Sequence, residues 1–237
     1  MKETTTIKYS LKSTDMDFTV DLVFDTKDFS LLNLNADEKD WTRLAFYKCS
    51  HCSLYEKDFP FCPLATAIDS VICKIHNSLS YDEVHAQVEY KGRKVSSEIT
   101  MQRALSSLLG LIIPASGCPH TVYFRPMSRY HLPFADTEER IYRATTMFLL
   151  AQYFIHKKSG CIPTDFSKLE TIYKNVHIVN TQICMRLRDF CENDSPLNAI
   201  TILDMLTVSI HSALKHDLDK FESYFSAFSE DIVPPSI

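Results

Sequence analysis

Along the first hundred residues apolar and polar side chains alternate, and beyond about residue 136 they recur every three to four positions instead. Ile7, Tyr9 and Leu11 make one alternating run; Phe18, Val20, Leu22 and Phe24, set against Thr19, Asp21 and Asp25, make a second. A period of two puts successive side chains on opposite faces of a strand, so each run predicts a strand with one buried face. Ser13-Thr14-Asp15 between them suits a hairpin. A third run sets Val84, Ala86, Val88 and Tyr90 against His85, Gln87, Glu89 and Lys91, and its Lys91-Gly92 turn feeds a short return strand through Val95. Asp40 to Lys48 reads as a fifth strand or a short helix. Strands with one apolar face each predict an antiparallel sheet of about four strands, covered on one side. Two helices are expected to cover it. Pro63 opens one, carrying Leu64, Ala67, Ile68, Val71, Ile72 and Ile75 at helical spacing. The other runs from Glu98 to Ile113, burying Met101, Leu105, Leu108, Leu109 and Ile112 before Pro114.

The later period predicts helices in succession. Asp136, with Glu139 three residues on, starts the first as a capping box; Ile141, Ala144, Phe148, Leu149 and Ile155 form its stripe, and Lys157-Lys158 with Gly160 close it. A second follows Pro163-Thr164, with Phe166, Leu169, Tyr173, Val176, Val179, Ile183, Leu187 and Phe190 as its stripe. Ser195-Pro196 caps a third, and a short fourth holds Leu218, Phe221, Phe225 and Phe228 before Pro234-Pro235. Short connections make neighbours antiparallel. The expected protein is therefore α+β: residues 1–135 form the covered sheet with a cysteine-rich knuckle, and residues 136–237 a C-terminal helical bundle, packed as one unit.

Composition narrows the chemistry. Among 237 residues only four are glycine, against an average of about 7%. Gly92, Gly110, Gly117 and Gly160 stand singly, so no dinucleotide fingerprint, phosphate loop or nucleophile elbow can be assembled. The formal charge is −5 and no window is densely basic, which argues against nucleic acid as a partner. The first residues lack the layout of a secretory signal, and no run approaches the roughly 18 apolar residues of a membrane span. The expectation is a soluble cytoplasmic chain without a membrane span.

Eight cysteines then stand out, because a reducing compartment makes disulfides improbable. The densest group is Cys49-x-x-Cys52 with Cys62-Pro63 following. A C-x-x-C turn lets two thiolates converge on one ion, and Cys62 stands at the mouth of a helix, where a thiol ionises more readily. A tetrahedral site needs a fourth ligand. Cys118, in Ser116-Gly117-Cys118-Pro119-His120, ranks first, with His120 and His131 next; His51, Cys73 and His76 are also near. Zinc is favoured over an iron–sulfur cluster because a closed thiolate site needs no further assembly. Ordinary buried thiols and a redox dithiol remain open. Gly117, beside Cys118, is the glycine that would let the backbone bend around a site. Arg125 and Arg129, in the same loop, either hold a carboxylate or phosphate or pair with Glu138 or Glu139.

Several strings together resemble an uncharacterised bacterial family known only as a domain of unknown function. They are Cys49-x-x-Cys52 with Cys62-Pro63-Leu64-Ala65, Gln102 through Ser106-Ser107-Leu108-Leu109-Gly110-Leu111, Ser116-Gly117-Cys118-Pro119-His120, Arg125-Pro126-Met127 and His131-Leu132-Pro133-Phe134-Ala135. The likeness covers roughly residues 45–155. It implies a bacterial cytosolic origin and groups the cysteine cluster with the loop from Gly117 to Ala135. No activity is assigned to the family, so it carries no catalytic role onto these residues.

Three functional expectations follow. The first is a zinc-stabilised, non-catalytic module that binds a protein partner, as an adaptor or subunit of a larger assembly or as a homo-oligomer. The second is a metal- or thiol-dependent enzyme whose site lies between the Cys49–Cys62 knuckle and the Gly117–His131 loop. The third is a sensor in which Arg125 and Arg129 hold an anionic small molecule.

Overall fold

The two N-terminal runs pair antiparallel as β1 (Thr4–Lys12) and β2 (Asp17–Asp25), with Ile7 opposite Leu22, Tyr9 opposite Val20 and Leu11 opposite Phe18. The computed structural model describes residues 3–33, 38–72, 75, 79–160, 165–190, 194–216 and 218–227. On its other edge β1 pairs with β3 (Glu83–Tyr90), which pairs with β4 (Arg93–Thr100), giving an antiparallel sheet in the order β2-β1-β3-β4. The register places Tyr9 beside Val88 and Leu11 beside Ala86, so the apolar positions of three strands share one face, all of them buried except the partly buried Tyr90 at its edge. Lys91 and Gly92, both at positive φ, make the tight β3–β4 turn.

That face is covered by α1 (Pro63–Ile72) and α2 (Met101–Ala115). The second helix begins three residues later than its periodicity suggests. Glu98, Ile99 and Thr100 instead pair with His85, Val84 and Glu83, because the ladder with β3 keeps its hydrogen bonds and Ile99 packs opposite Val84. Pro114 lies within the last turn of α2 rather than beyond it, where the amide it lacks costs only one terminal bond. The segment expected as a fifth strand or short helix is a single 3-10 turn at Asp40–Thr42.

The C-terminal part is a set of packed helices: α3 (Arg125–Arg129), α4 (Thr137–Ser159), α5 (Ser167–Phe190) and α6 (Ser195–His216), then a 3-10 helix at Leu218–Phe225. The capping box at α4 forms as its sequence predicts, with Glu139 N–H donating to Asp136 and Asp136 N–H to Glu139. Gly160 closes α4 at φ 74°. Val179, Ile183 and Leu187 of α5 and Ala199 and Ile200 of α6 join the core beneath the sheet. A second core gathers Phe124, Ile141, Phe148, Tyr173, Ile210 and Phe221. By length and composition α6 is apolar enough to cross a membrane over Ser195–Leu214. This corrects the expectation that no segment approaches that size; scattered threonines and Asp204 hide it from a search for unbroken apolar runs. In the fold α6 packs along α2 and α5. Cys73, His76, Pro163, Thr164, Phe228, Pro234 and Pro235, all named above, lie outside the described residues, as do Cys161 and Cys191.

Candidate functional site

The cysteine segment is a loop pinched at its base. Arg43 and Phe61 form a β-bridge, Leu44 N–H donates to the Pro60 carbonyl (2.9 Å), and Cys62 N–H donates to the Thr42 carbonyl (2.7 Å). Trp41, stacked on Phe190 of α5 with its indole N–H on Asp69 of α1, anchors the strand that enters the loop. At the far end His51 Nε2–H donates to the Asn175 carbonyl of α5 (3.1 Å). Tyr47, at φ 42°, reverses the chain just ahead of Cys49, and Cys52 N–H closes the C-x-x-C turn on the Cys49 carbonyl (3.0 Å). Gly117 stands at φ 98° with the place of a Cβ 3.6 Å from Pro63, so the second loop bends against the start of α1. A side chain at that φ would be strained.

These turns bring Cys49, Cys52, Cys62 and Cys118 to the wall of one cavity of about 20 Å³, with Arg186 of α5 facing the same space. That volume holds one water-sized sphere, or one ion, and no organic substrate. Cys118, 8% exposed, has the backbone N–H groups of His120 and Thr121 close by, and they favour its thiolate form. Burial nevertheless pushes its thiol up, and pushes Cys49 up to about 12, with Cys62, Cys118 and Cys52 adding repulsion and Arg186 opposing. Ionised sulfurs here would repel one another without a cation between them. Among the described residues no three His, Cys, Asp or Glu side chains already stand gathered as a group able to hold a metal ion. The thiols would have to draw inward around one.

Arg186 is the unexpected member. It is only 2% exposed, and its guanidinium donates to the carbonyls of Trp41 (2.7 Å), Arg43 (2.8 Å) and Leu44 (3.3 Å). No carboxylate pairs with it among the described residues. A buried charge without a counter-charge is costly, and among the described residues the groups near it able to become negative are Cys62, Cys49 and Cys52. Arg186 had a signal in the sequence: it lies three residues after Ile183 and four before Phe190, on the buried stripe of α5.

The remaining candidates separate. His120 lines the cysteine cavity, stacks on His51 (3.8 Å between ring centres) and donates from Nε2 to the His51 carbonyl (2.9 Å), so it braces the two loops together. Burial and the His120 ring push His51 down, and its Nδ1 is buried without a partner. His131 does not reach the cysteines. It lines a larger cavity, with Nε2 bonded to the Tyr9 hydroxyl (2.6 Å), which continues to Ser107 Oγ (2.8 Å). Burial and the nearby Arg143 push His131 down to about 3.

Neither Arg125 nor Arg129 pairs with Glu138 or Glu139. Arg125 bonds Asp28 (3.2 Å) and the Pro114 carbonyl (3.3 Å), and Arg129 the Thr26 carbonyl, so both tie the second loop to the turn after β2. The glutamates are already used, Glu139 in its capping box and Glu138 with Lys220. Helix capping and a neighbour distant in sequence outcompete the local pairs.

Residues 5–226 match a family described as a domain of unknown function, DUF6901. The match extends the likeness from the cysteine and loop motifs to the N-terminal strands and the last helices. No curated protein and no solved structure matches the chain.

Proposed function

The chain belongs to the DUF6901 family, and for this member we propose a protein-binding module whose cysteine loop is locked by a structural zinc ion. The observation that carries this reading is that Cys49, Cys52, Cys62 and Cys118 all line one ion-sized cavity, beside a buried guanidinium that pairs with no carboxylate among the described residues. Four thiolates are a closed tetrahedral set, which leaves no position for a reacting water. A cavity of about 20 Å³ also favours a single ion over a larger iron–sulfur cluster. Held there, zinc would supply bonds joining the 49–62 loop to the 118 loop. The chain's own residues prepare that junction: His120 and Thr121 aim N–H groups at Cys118, and Arg186 offsets the charge of the other sulfurs.

The test is elemental analysis with a visible spectrum on folded, reduced protein. One zinc per chain and no iron–sulfur absorption are expected; folded protein containing neither zinc nor iron overturns the proposal, and iron replaces zinc in it.

A locked interior puts the working surface outside, and α4 offers one. Beyond Phe148 its Leu149, Leu150, Tyr153, Phe154 and Ile155 are between 40% and 58% exposed, which corrects the expectation that Leu149 and Ile155 belong to the buried stripe, on a helix whose last turn carries His156, Lys157 and Lys158. Contiguous exposed apolar side chains mark interaction surfaces. The complementary partner is a protein with an apolar groove flanked by acidic side chains, which would take α4 as a helix in a groove. Replacing Leu150 and Phe154 together by aspartate is expected to leave the thermal midpoint within about 2 °C. The same change should abolish co-purification of a protein that rebinds the purified wild-type chain. Equal recovery by the double variant removes this role from α4. Self-association of the pure chain that the variant loses makes the occupant a second copy instead.

A further inference from the structure

The larger cavity, lined by His131, shares no lining residue with the cysteine site. It lies where the two cores meet, between α2, the loop around α3, and the facing sides of α4, α5 and α6, with a volume of about 120 Å³. Most of its wall is apolar, from Ile113, Phe124, Met127, Val176, Leu203 and Leu206.

The polar part of that wall is one-sided. Arg140 and Arg143 both line it, and no aspartate or glutamate does. Arg143 is engaged through Nη2 with the Met127 (2.6 Å) and Tyr130 (2.9 Å) carbonyls. Among the described residues the half-buried Arg140 guanidinium has no hydrogen bond and no ion pair, although Asp136 and Glu139 lie near enough to favour its charge, and Tyr173, 4% exposed, has no hydrogen bond on its hydroxyl. Ser106 Oγ also lacks a partner among the described residues, but it has no surface open to the cavity. Guanidinium cannot shed its proton, and buried donors in folded proteins are nearly always satisfied. A half-buried guanidinium and a phenol hydroxyl that have no protein partner among the described residues, at one apolar cavity under two positive charges, describe the complement of an anionic acceptor with a hydrocarbon body.

The geometry points to a binding site for a small organic monocarboxylate, its carboxylate on Arg140 and Tyr173 and a compact aromatic or branched aliphatic body against the apolar wall. Size bounds the body: a dry cavity of about 150 Å³ accommodates benzene, so one of about 120 Å³ takes at most a single small ring or a short branched chain. A planar carboxylate matches the guanidinium fork. An organic phosphate would place more charge and more water against the same apolar wall. Arg125 and Arg129, the arginines that the sequence offers for an anion, are bonded elsewhere.

Titration calorimetry on the full chain tests this with benzoate as probe, benzamide as its neutral isostere and phenyl phosphate as the rival anion. Benzoate is expected to bind one to one, at least about tenfold more tightly than either. Arg140→Gln should weaken benzoate about tenfold or more, and Tyr173→Phe, which keeps the ring against Phe124, by several-fold. No saturable binding up to about 10 mM benzoate, equal affinity for benzamide, or folded R140Q and Y173F proteins that bind as wild type would each overturn the proposal. Tighter binding of phenyl phosphate would overturn the carboxylate assignment. The outcome is independent of zinc content, which the same samples report separately.

Discussion

A serine in place of Cys62 is expected to cost the protein its zinc and about 6–20 °C of thermal stability. The estimate starts from structural zinc sites, which contribute about 10–16 kcal/mol in peptides that cannot fold without metal. Here most of the chain has its own core: the sheet, α1 and α2 are held by apolar packing and ladder hydrogen bonds that owe nothing to the cysteines. With zinc held as proposed, only the junction between the two loops would depend on the ion, so a loss of about 3–5 kcal/mol is the reasonable share, at about 2–4 °C per kcal/mol for a chain of this size. Cys62 is the informative choice because its N–H already fixes it to Thr42 at the neck of the loop. Serine keeps that backbone bond and nearly the same shape, and removes only the sulfur. Cys184→Ser is the control, since Cys184 is also half-buried, on α5, but does not line the cavity. Zinc content and thermal midpoint are measured on both. Loss of metal and stability in C62S alone is expected; matching behaviour of the two variants, with metal retained, would remove Cys62 from the site.

The convergence of those cysteines was legible only in part. The C-x-x-C spacing is local, and a turn of that kind brings Cys49 and Cys52 together wherever it occurs. Cys62 and Cys118 arrive by different means. One is delivered by the bridge between Arg43 and Phe61, the other by the positive-φ bend at Gly117 against Pro63. No periodicity encodes either contact; the Cys-Pro pairs and the lone glycine beside Cys118 are its only traces. β1, β2, β3 and the helices under the sheet were legible because each has a single buried face, and a single face leaves a period in the sequence; β4 buries no residue and was legible only from the Lys91-Gly92 turn ahead of it. The ends of elements were not. Glu98 to Thr100 read as helix by themselves and are strand because β3 is beside them.

Charged groups on helices show the same division. Glu139 was legible as a cap because its partner is three residues away. Arg125 was not, because Asp28, on the far side of the molecule's sequence, outcompetes the nearby glutamates. Arg140 and Arg143 sit at the edge of the α4 stripe, where an arginine is usually solvated. What sets them apart is the absence of any carboxylate in the wall they share, a property of five separate segments brought together.

Arg186→Met is expected to lower the thermal midpoint by about 6–20 °C and to weaken zinc binding by about tenfold or more, and the second effect decides what Arg186 does. The guanidinium has two distinct tasks. By hydrogen bonding it satisfies the carbonyls of Trp41, Arg43 and Leu44, which lead into the cysteine loop. Methionine fills similar space but leaves those acceptors orphaned, and breaking a buried charged network of this kind costs about 3–5 kcal/mol. By charge it stands against Cys49, Cys52 and Cys62. Four thiolates on one zinc ion leave an excess of negative charge, which a buried cation stabilises and a neutral side chain does not. Arg186→Lys separates the tasks: lysine keeps the charge but lacks the planar fork that spans three carbonyls. The lysine variant should therefore lose stability while holding zinc within a few-fold of wild type, as read by competition with a chelator of known affinity. If methionine destabilises the fold yet binds zinc as tightly as arginine does, Arg186 is a strut for the 41–44 turn, and its charge has no part in the site.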